Sequence, residues 1–154
     1  MGNGMFSISL IREAIANGSM IAYDTGAGQN AGELARLYEA AFGRAPDEAG
    51  LGYWISQLDA GATLNNIATQ FLASSEYQTL YGSNVSNTQF ITQIYNGILD
   101  RAPDVDGQSY WLQQLANGMS RAQVLVSISE SAEAVDNIEQ TLLANGIYYQ
   151  QWNA

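Results

Sequence analysis

The chain has 154 residues, 47% of them hydrophobic, and a net charge of −10 from fifteen acids against five arginines, with no lysine. That is enough apolar material for a globular core, but five scattered arginines cannot form the basic stripe that a nucleic-acid binder uses to displace counterions. No cysteine or histidine is present, which removes disulfides, thiol nucleophiles, zinc sites of the usual kind and imidazole-based triads.

At the N-terminus, Met1-Gly2-Asn3-Gly4 lacks the basic cluster of a conventional signal peptide, and Arg12 and Glu13 break the apolar stretch that follows. Phe6, Ile8, Ile11 and Ile15 predict an amphipathic helix over residues 6–16, ended by Asn17-Gly18. Met20-Ile21-Ala22-Tyr23 suits a short extended piece before the loose segment from Asp24 to Gln29. No run approaches the roughly 18 apolar residues of a membrane span, so membrane insertion is not expected.

From residue 30 the chain repeats itself. Residues 30–76 return as 87–133 at an offset of 57, with 14 of 47 positions identical. Such repetition means two copies of one supersecondary unit packed on each other. Asn30 and Asn87 suit the N-cap of a first helix, followed at helical spacing by Leu34, Leu37, Tyr38, Ala41 and Phe42, or by Ile91, Ile94, Tyr95, Ile98 and Leu99. Arg44-Ala45-Pro46-Asp47 and Arg101-Ala102-Pro103-Asp104 then force a turn, because the residue before proline avoids the helical region, and each aspartate can cap a second helix.

The second helix carries Trp54, Ile55 and Leu58, or Trp111, Leu112 and Leu115, and stops at Gly61 or Gly118. Thr63 and Ser120 cap a third helix, and Ser74-Ser75-Glu76 and Ser131-Ala132-Glu133 open a short fourth. The expected fold class is all-α: two tandem four-helix repeats packed into one compact domain, with an extra N-terminal helix. The expected divisions are 1–29 for the N-terminal helix and loop, 30–86 and 87–146 for the repeats, and 147–154 for an aromatic tail. In that tail Tyr148, Tyr149 and Trp152 crowd together after a helix stop at Asn145-Gly146. Aromatics at that density make them candidates for an assembly interface, the alternative being a tail folded back over Phe6 and Ile11.

The string Gly-Arg-Ala-Pro-Asp-x-x-Gly-x-x-Tyr-Trp, with Gln57-Leu58, Gly61 and the later Ser74-x-Glu76-Tyr77, resembles domain of unknown function family 4214, over roughly residues 30–135. The family is a helical module of bacterial secreted adhesins of the repeats-in-toxin type, of S-layer-type proteins and of proteins carrying glycosyltransferase domains. The resemblance implies work at cell surfaces and around glycans. This chain lacks the glycine-aspartate calcium nonapeptides of the large relatives.

Within the motif, Tyr53 and Tyr110 are candidate sugar-stacking platforms, while Trp54 and Trp111 share a helix face with apolar neighbours and read as core. Arg44 and Arg101 are candidate contacts for an anionic or carboxylate sugar; the competing reading pairs them with Glu76 and Glu133, which repeat at the same offset. Asp104 and Asp106 beside Gly107 suggest calcium, although an EF-hand alignment on Gly107 puts Ala102 first and Gln113 last. The competing reading is a capping aspartate; no other cofactor is expected. Glu48 with Glu76, or Asp104 with Glu133, would serve a glycosidase only across a cleft of about 5–10 Å, so no catalytic residue and no enzyme activity is expected.

The expected function is a non-catalytic structural and interaction module of a bacterial surface-associated assembly, with protein partners and a surface polysaccharide as candidate ligand. The alternative is a structural or host-attachment component of a phage-like virion or tail. The expected location is extracellular, at the cell surface, or in a virion.

Overall fold

The computed structural model describes residues 12–14, 20–22, 28–141 and 147–152. Its class is all-α. The first repeat supplies α1 (Asn30–Phe42), α2 (Glu48–Asp59), α3 (Leu64–Leu72) and α4 (Ser75–Tyr81). The second supplies α5 (Asn87–Ile94), α6 (Val105–Ala116), α7 (Arg121–Ser129) and α8 (Ala132–Thr141). Among the described residues, no helix is long and apolar enough to cross a membrane.

Helix starts follow from local chemistry. Thr63, Ser74, Ser86 and Ser120 each accept a hydrogen bond from the backbone N–H three residues on, satisfying a donor the helix leaves open. The backbone N–H groups of Ser86 and Ser120 in turn donate to the Oε1 atoms of Gln89 and Gln123, completing capping boxes. Asn30 and Asn87 are not the caps expected of them. Each is the first helical residue, and the caps stand one position earlier, at Gln29 and Ser86. The Ser-x-x-Gln spacing decides it in the second repeat. The asparagines instead reach sideways: Asn30 Nδ2 donates to Asp59 at 3.1 Å, and Asn87 Oδ1 accepts from Arg121 at 2.8 Å.

The core lies where equivalent helices of the two repeats meet. α3 packs on α7, and α1 packs on both α7 and the end of α5. Leu34, Leu37, Ile67, Phe90, Ile91, Val124 and Leu125 are fully buried there. Tyr38, Phe42, Trp54 and Phe71 form an aromatic knot, with Phe71 4.9 Å from Tyr38 and from Phe42, and 5.4 Å from Trp54, between ring centroids.

The first helices of the two repeats end differently. α1 runs regularly to Gly43, whose φ of 67° closes it with a bond to the Glu39 carbonyl. α5 widens into a π-helical turn over Tyr95–Leu99 and closes on Asp100, a non-glycine residue at φ 54°. Gly97 explains the approach at this point. A Cβ there would lie 2.3 Å from the Glu39 carbonyl oxygen, so α5 can reach α1 only through a residue without a side chain.

Buried across the same interface, Arg36 forks onto Glu130 at 2.5 and 2.9 Å. Arg36 is 0% exposed, so this pair ties α1 to the end of α7 in a low-dielectric setting.

A small antiparallel sheet completes the described fold, in the order β1 (Arg12–Ala14), β2 (Met20–Ala22), β3 (Ile147–Tyr149). Residues 12–14, inside the helix expected over 6–16, are therefore strand; pairing with β2 overrides the local apolar spacing. Phe6, Ile8, Ile11, Ile15, Asn17-Gly18 and Asn145-Gly146 lie outside the described residues. Met20–Ala22 is extended, and it pairs with the C-terminal tail.

Candidate functional site

The repeated motif builds the same station twice. Arg44 donates from Nε and Nη2 to the two Glu76 oxygens at 2.7 and 2.8 Å, and from Nη1 to the Ala45 carbonyl at 3.0 Å. Arg101 does the same to Glu133, at 2.9 and 2.9 Å, and to Ala102 at 3.2 Å. Both guanidiniums lie over the tyrosine that precedes them, 5.1 Å from the Tyr38 centroid and 5.2 Å from that of Tyr95. The tyrosine hydroxyls point at the motif glycines. A Cβ on Gly50 would sit 2.7 Å from the Tyr38 hydroxyl and 2.8 Å from Asp47 Oδ1, and one on Gly107 2.8 Å from Tyr95 and 2.7 Å from Asp104. Trp111 Nε1 donates to the Tyr95 hydroxyl at 3.2 Å.

Electrostatics match this closed geometry. The Arg44 hydrogen bonds hold the Glu76 carboxyl below its ordinary 4.5, and Arg101 does so for Glu133. Asp47 is lowered chiefly by the Gly50 N–H it accepts at 2.9 Å. Burial pushes the Tyr38 phenol up to about 12. A general acid requires a raised carboxyl, the opposite of what Glu76 and Glu133 have. The candidate anion contacts Arg44 and Arg101 are thus each bound to a glutamate of their own repeat.

Of the repeated residues, the tyrosines one step round the helix stand apart. Tyr110 is 52% exposed and meets Trp111 edge to face at 4.8 Å. Tyr53 makes the equivalent contact with Trp54 at 4.8 Å, but its other side is covered by the tail, with Trp152 edge-on at 4.9 Å and 85°. Trp54 and Trp111 pack against the core.

The tail candidates part company. Tyr149 is buried against the chain itself, whereas Tyr148 and Trp152 are about half exposed. The Gln150 N–H donates to the Glu48 carbonyl at 2.8 Å, and its own carbonyl lies against Gly52, where a Cβ would be 1.6 Å away. The tail therefore folds back, onto α2. Between them lies a cleft of about 120 Å³ lined by Gly52, Ile55, Ser56, Asp59, Tyr149, Gln151 and Trp152. Ser56, Asp59 and Gln151 were not singled out from the sequence; the first two face Gln113 and Ala116 in the repeat, so no repetition marks them.

Asp104 precedes α6 without a side-chain capping bond and lies 3.7 Å from Arg101, and Asp106 is exposed in the first turn of α6. Among the described residues no three carboxylates converge on a common point. Asp100 lies by Glu39, whose carboxyl is raised by burial first and by Asp100 second.

No curated protein and no solved structure matches the chain significantly. A family model matches twice, over residues 34–69 and 68–138, in agreement with two copies of one module. The chain belongs to the family described as domain of unknown function DUF4214.

Proposed function

We propose that the chain is a non-catalytic structural and interaction module of a bacterial surface-associated assembly, which meets its partners through exposed aromatic surface. The observation that carries this reading is the closure of both motif stations. Arg44 and Arg101, the arginines of the motif that sequence alone offers as contacts for an anionic sugar, are forked onto Glu76 and Glu133. The repeated residues thus serve architecture, and Tyr110 and the Tyr53–Trp152 pair remain at the surface. Carboxyls lowered by arginine also argue against Glu76 or Glu133 as a glycosidase acid.

The test is an array of bacterial surface polysaccharides probed with the full chain, with and without Ca²⁺, beside sedimentation of the protein alone. Binding or ordered self-association supports the module; a calcium requirement would assign Asp104 and Asp106. A strictly monomeric protein that retains no polysaccharide overturns the reading, and so does glycoside hydrolysis that disappears in Glu76→Gln or Glu133→Gln.

A further inference from the structure

We infer that the cleft between α2 and the C-terminal tail is a subsite for a single neutral pyranose ring. The inference deepens the interaction-module reading and rests on it. The cleft's volume of about 120 Å³ is well below the roughly 300–1,000 Å³ that encloses a drug-sized ligand, so it seats one ring and leaves the rest of a glycan in solvent. Trp152 lines the cleft; its indole is 47% exposed and meets Tyr53 edge to face at 4.9 Å. An indole plane offers apolar area with little rotamer freedom to lose, which suits the C–H face of a sugar.

The lining is also polar. Asp59 is exposed and supplies a carboxylate, which has about four acceptor positions, for sugar hydroxyls that donate. Its Oδ1 also accepts from Asn30 at 3.1 Å, which fixes the carboxylate's orientation. The Ser56 hydroxyl donates to the Tyr53 carbonyl at 2.5 Å, so it faces a ligand as an acceptor. The exposed Gln151 amide adds both a donor and an acceptor. Gly52 lets the tail lie close enough to α2 for these groups to converge.

Charge selects among sugars. None of the four arginines whose side chains are described lines the cleft, and Asp59 repels an acidic ring. A quaternary cation would need ring faces converging on one point, whereas Trp152 and Tyr53 cross at 85° and present a single plane. The second repeat lacks the residues that line the cleft. Ser109, Gln113 and Ala116 stand where Gly52, Ser56 and Asp59 stand in the first.

The experiment follows the Trp152 indole N–H signal of the full, ¹⁵N-labelled chain. Probes are the methyl glycosides of glucose, galactose, mannose and N-acetylglucosamine, with methyl glucuronide, choline and N-acetylphenylalaninamide alongside. Single-ring affinities are weak, so titrations extend to roughly 50 mM. At least one neutral glycoside should shift the signal saturably, and methyl glucuronide should bind several-fold more weakly. Asp59→Asn should weaken binding about tenfold. Tyr110→Ala should bind like the parent, and Trp152→Ala, followed through the Gln151 amide, should abolish binding while the protein stays folded by circular dichroism. The inference is overturned if no neutral glycoside moves the signal, if glucuronide binds equally, if choline or the phenylalanine amide binds better, or if Trp152→Ala still binds. Polysaccharide binding on the array that survives Trp152→Ala would sink this subsite while leaving the module reading intact.

Discussion

The two repeats are the molecule's own control experiment. They share the Arg–Glu fork, the tyrosine under the guanidinium and the glycine under the tyrosine hydroxyl. They differ in what covers the second helix. α2 buries Leu51, Gly52 and Ile55, and the tail lies on it. α6, of equal length, has no fully buried residue and leaves Tyr110 half exposed. Gln108 and Ser109 replace Leu51 and Gly52. The lesson is that the repeated motif specifies the turn and its internal bonds, while unrepeated positions decide which repeat accepts the tail.

The largest expected effect comes from making the repeats alike at a buried position. Arg36 corresponds to Gln93, and Glu130 to Ala73. Arg36→Gln leaves Glu130 without its bidentate partner in the interface, and removing one partner of a buried pair costs about 3–5 kcal/mol. Urea denaturation should show this as a lowered midpoint. Arg36→Met combined with Glu130→Leu should recover most of the loss, because the cost lies in the stranded charge.

Next in size is the tail. Gly52→Ala places a methyl against the Gln150 carbonyl, a backbone atom that cannot swing aside. The tail must shift, at about 1–3 kcal/mol for an overpacked contact. Amide exchange of Tyr148 and Tyr149 should quicken. Ser109→Gly, the reverse change in the second repeat, touches no tail and should cost only the helix penalty of glycine, about 0.5–1 kcal/mol. By the same reasoning, deleting residues 147–154 should destabilise the isolated protein, since β3 and the buried Tyr149 belong to the fold.

A smaller asymmetry lies at the caps. Asp47 accepts the Gly50 N–H at 2.9 Å, whereas Asp104 makes no side-chain capping bond. Asp47→Ala should cost about 1 kcal/mol, and Asp104→Ala measurably less. Equal losses in thermal melts would mean that the two turns are energetically the same.

How much of this was legible follows the same division. The Arg44–Glu76 and Arg101–Glu133 pairs could be read because both partners recur at one offset, and the four helices of each repeat because apolar spacing marks them even where the expected caps Asn30, Asn87 and Asp104 make no capping bond. Arg36–Glu130 gave no such signal, since neither residue is repeated; a lone arginine among Leu34, Leu37 and Tyr38 was the clue available. The π turn was hidden because Asn96-Gly97 reads as an ordinary weak spot in a helix, and only the packing of Gly97 on Glu39 reveals its use. Strand β1 was hidden because its partner β2 is itself held by β3, far along the chain. The α2–tail cleft needed the same long-range contact, so Ser56 and Asp59 looked like ordinary helix surface.

The smallest expected effect is a difference between the repeats in acid. Glu76 and Glu133 are held below their ordinary 4.5 by Arg44 and Arg101, and Asp47 is lowered too. A carboxyl lowered in the folded state contributes stability that is complete above its unfolded pKa and is lost as pH falls through the folded value. These groups therefore weaken the fold only below about 4.5. Glu39 runs the other way. Its carboxyl is raised by burial and by Asp100, so it favours the fold most when protonated and opposes it as pH rises through its raised value. Glu76→Gln and Glu133→Gln should each lower the urea midpoint near neutral pH and flatten its fall in acid. Glu39→Gln should raise the neutral midpoint and steepen that fall. The first repeat should show the larger change, because Arg44 makes the shorter fork and is the less exposed of the two arginines. Both pairs are partly in solvent, so about 1 M salt should shrink the difference. An effect of Glu133→Gln equal to that of Glu76→Gln would show that the two stations differ in geometry but not in strength, and a larger one would reverse the expected order.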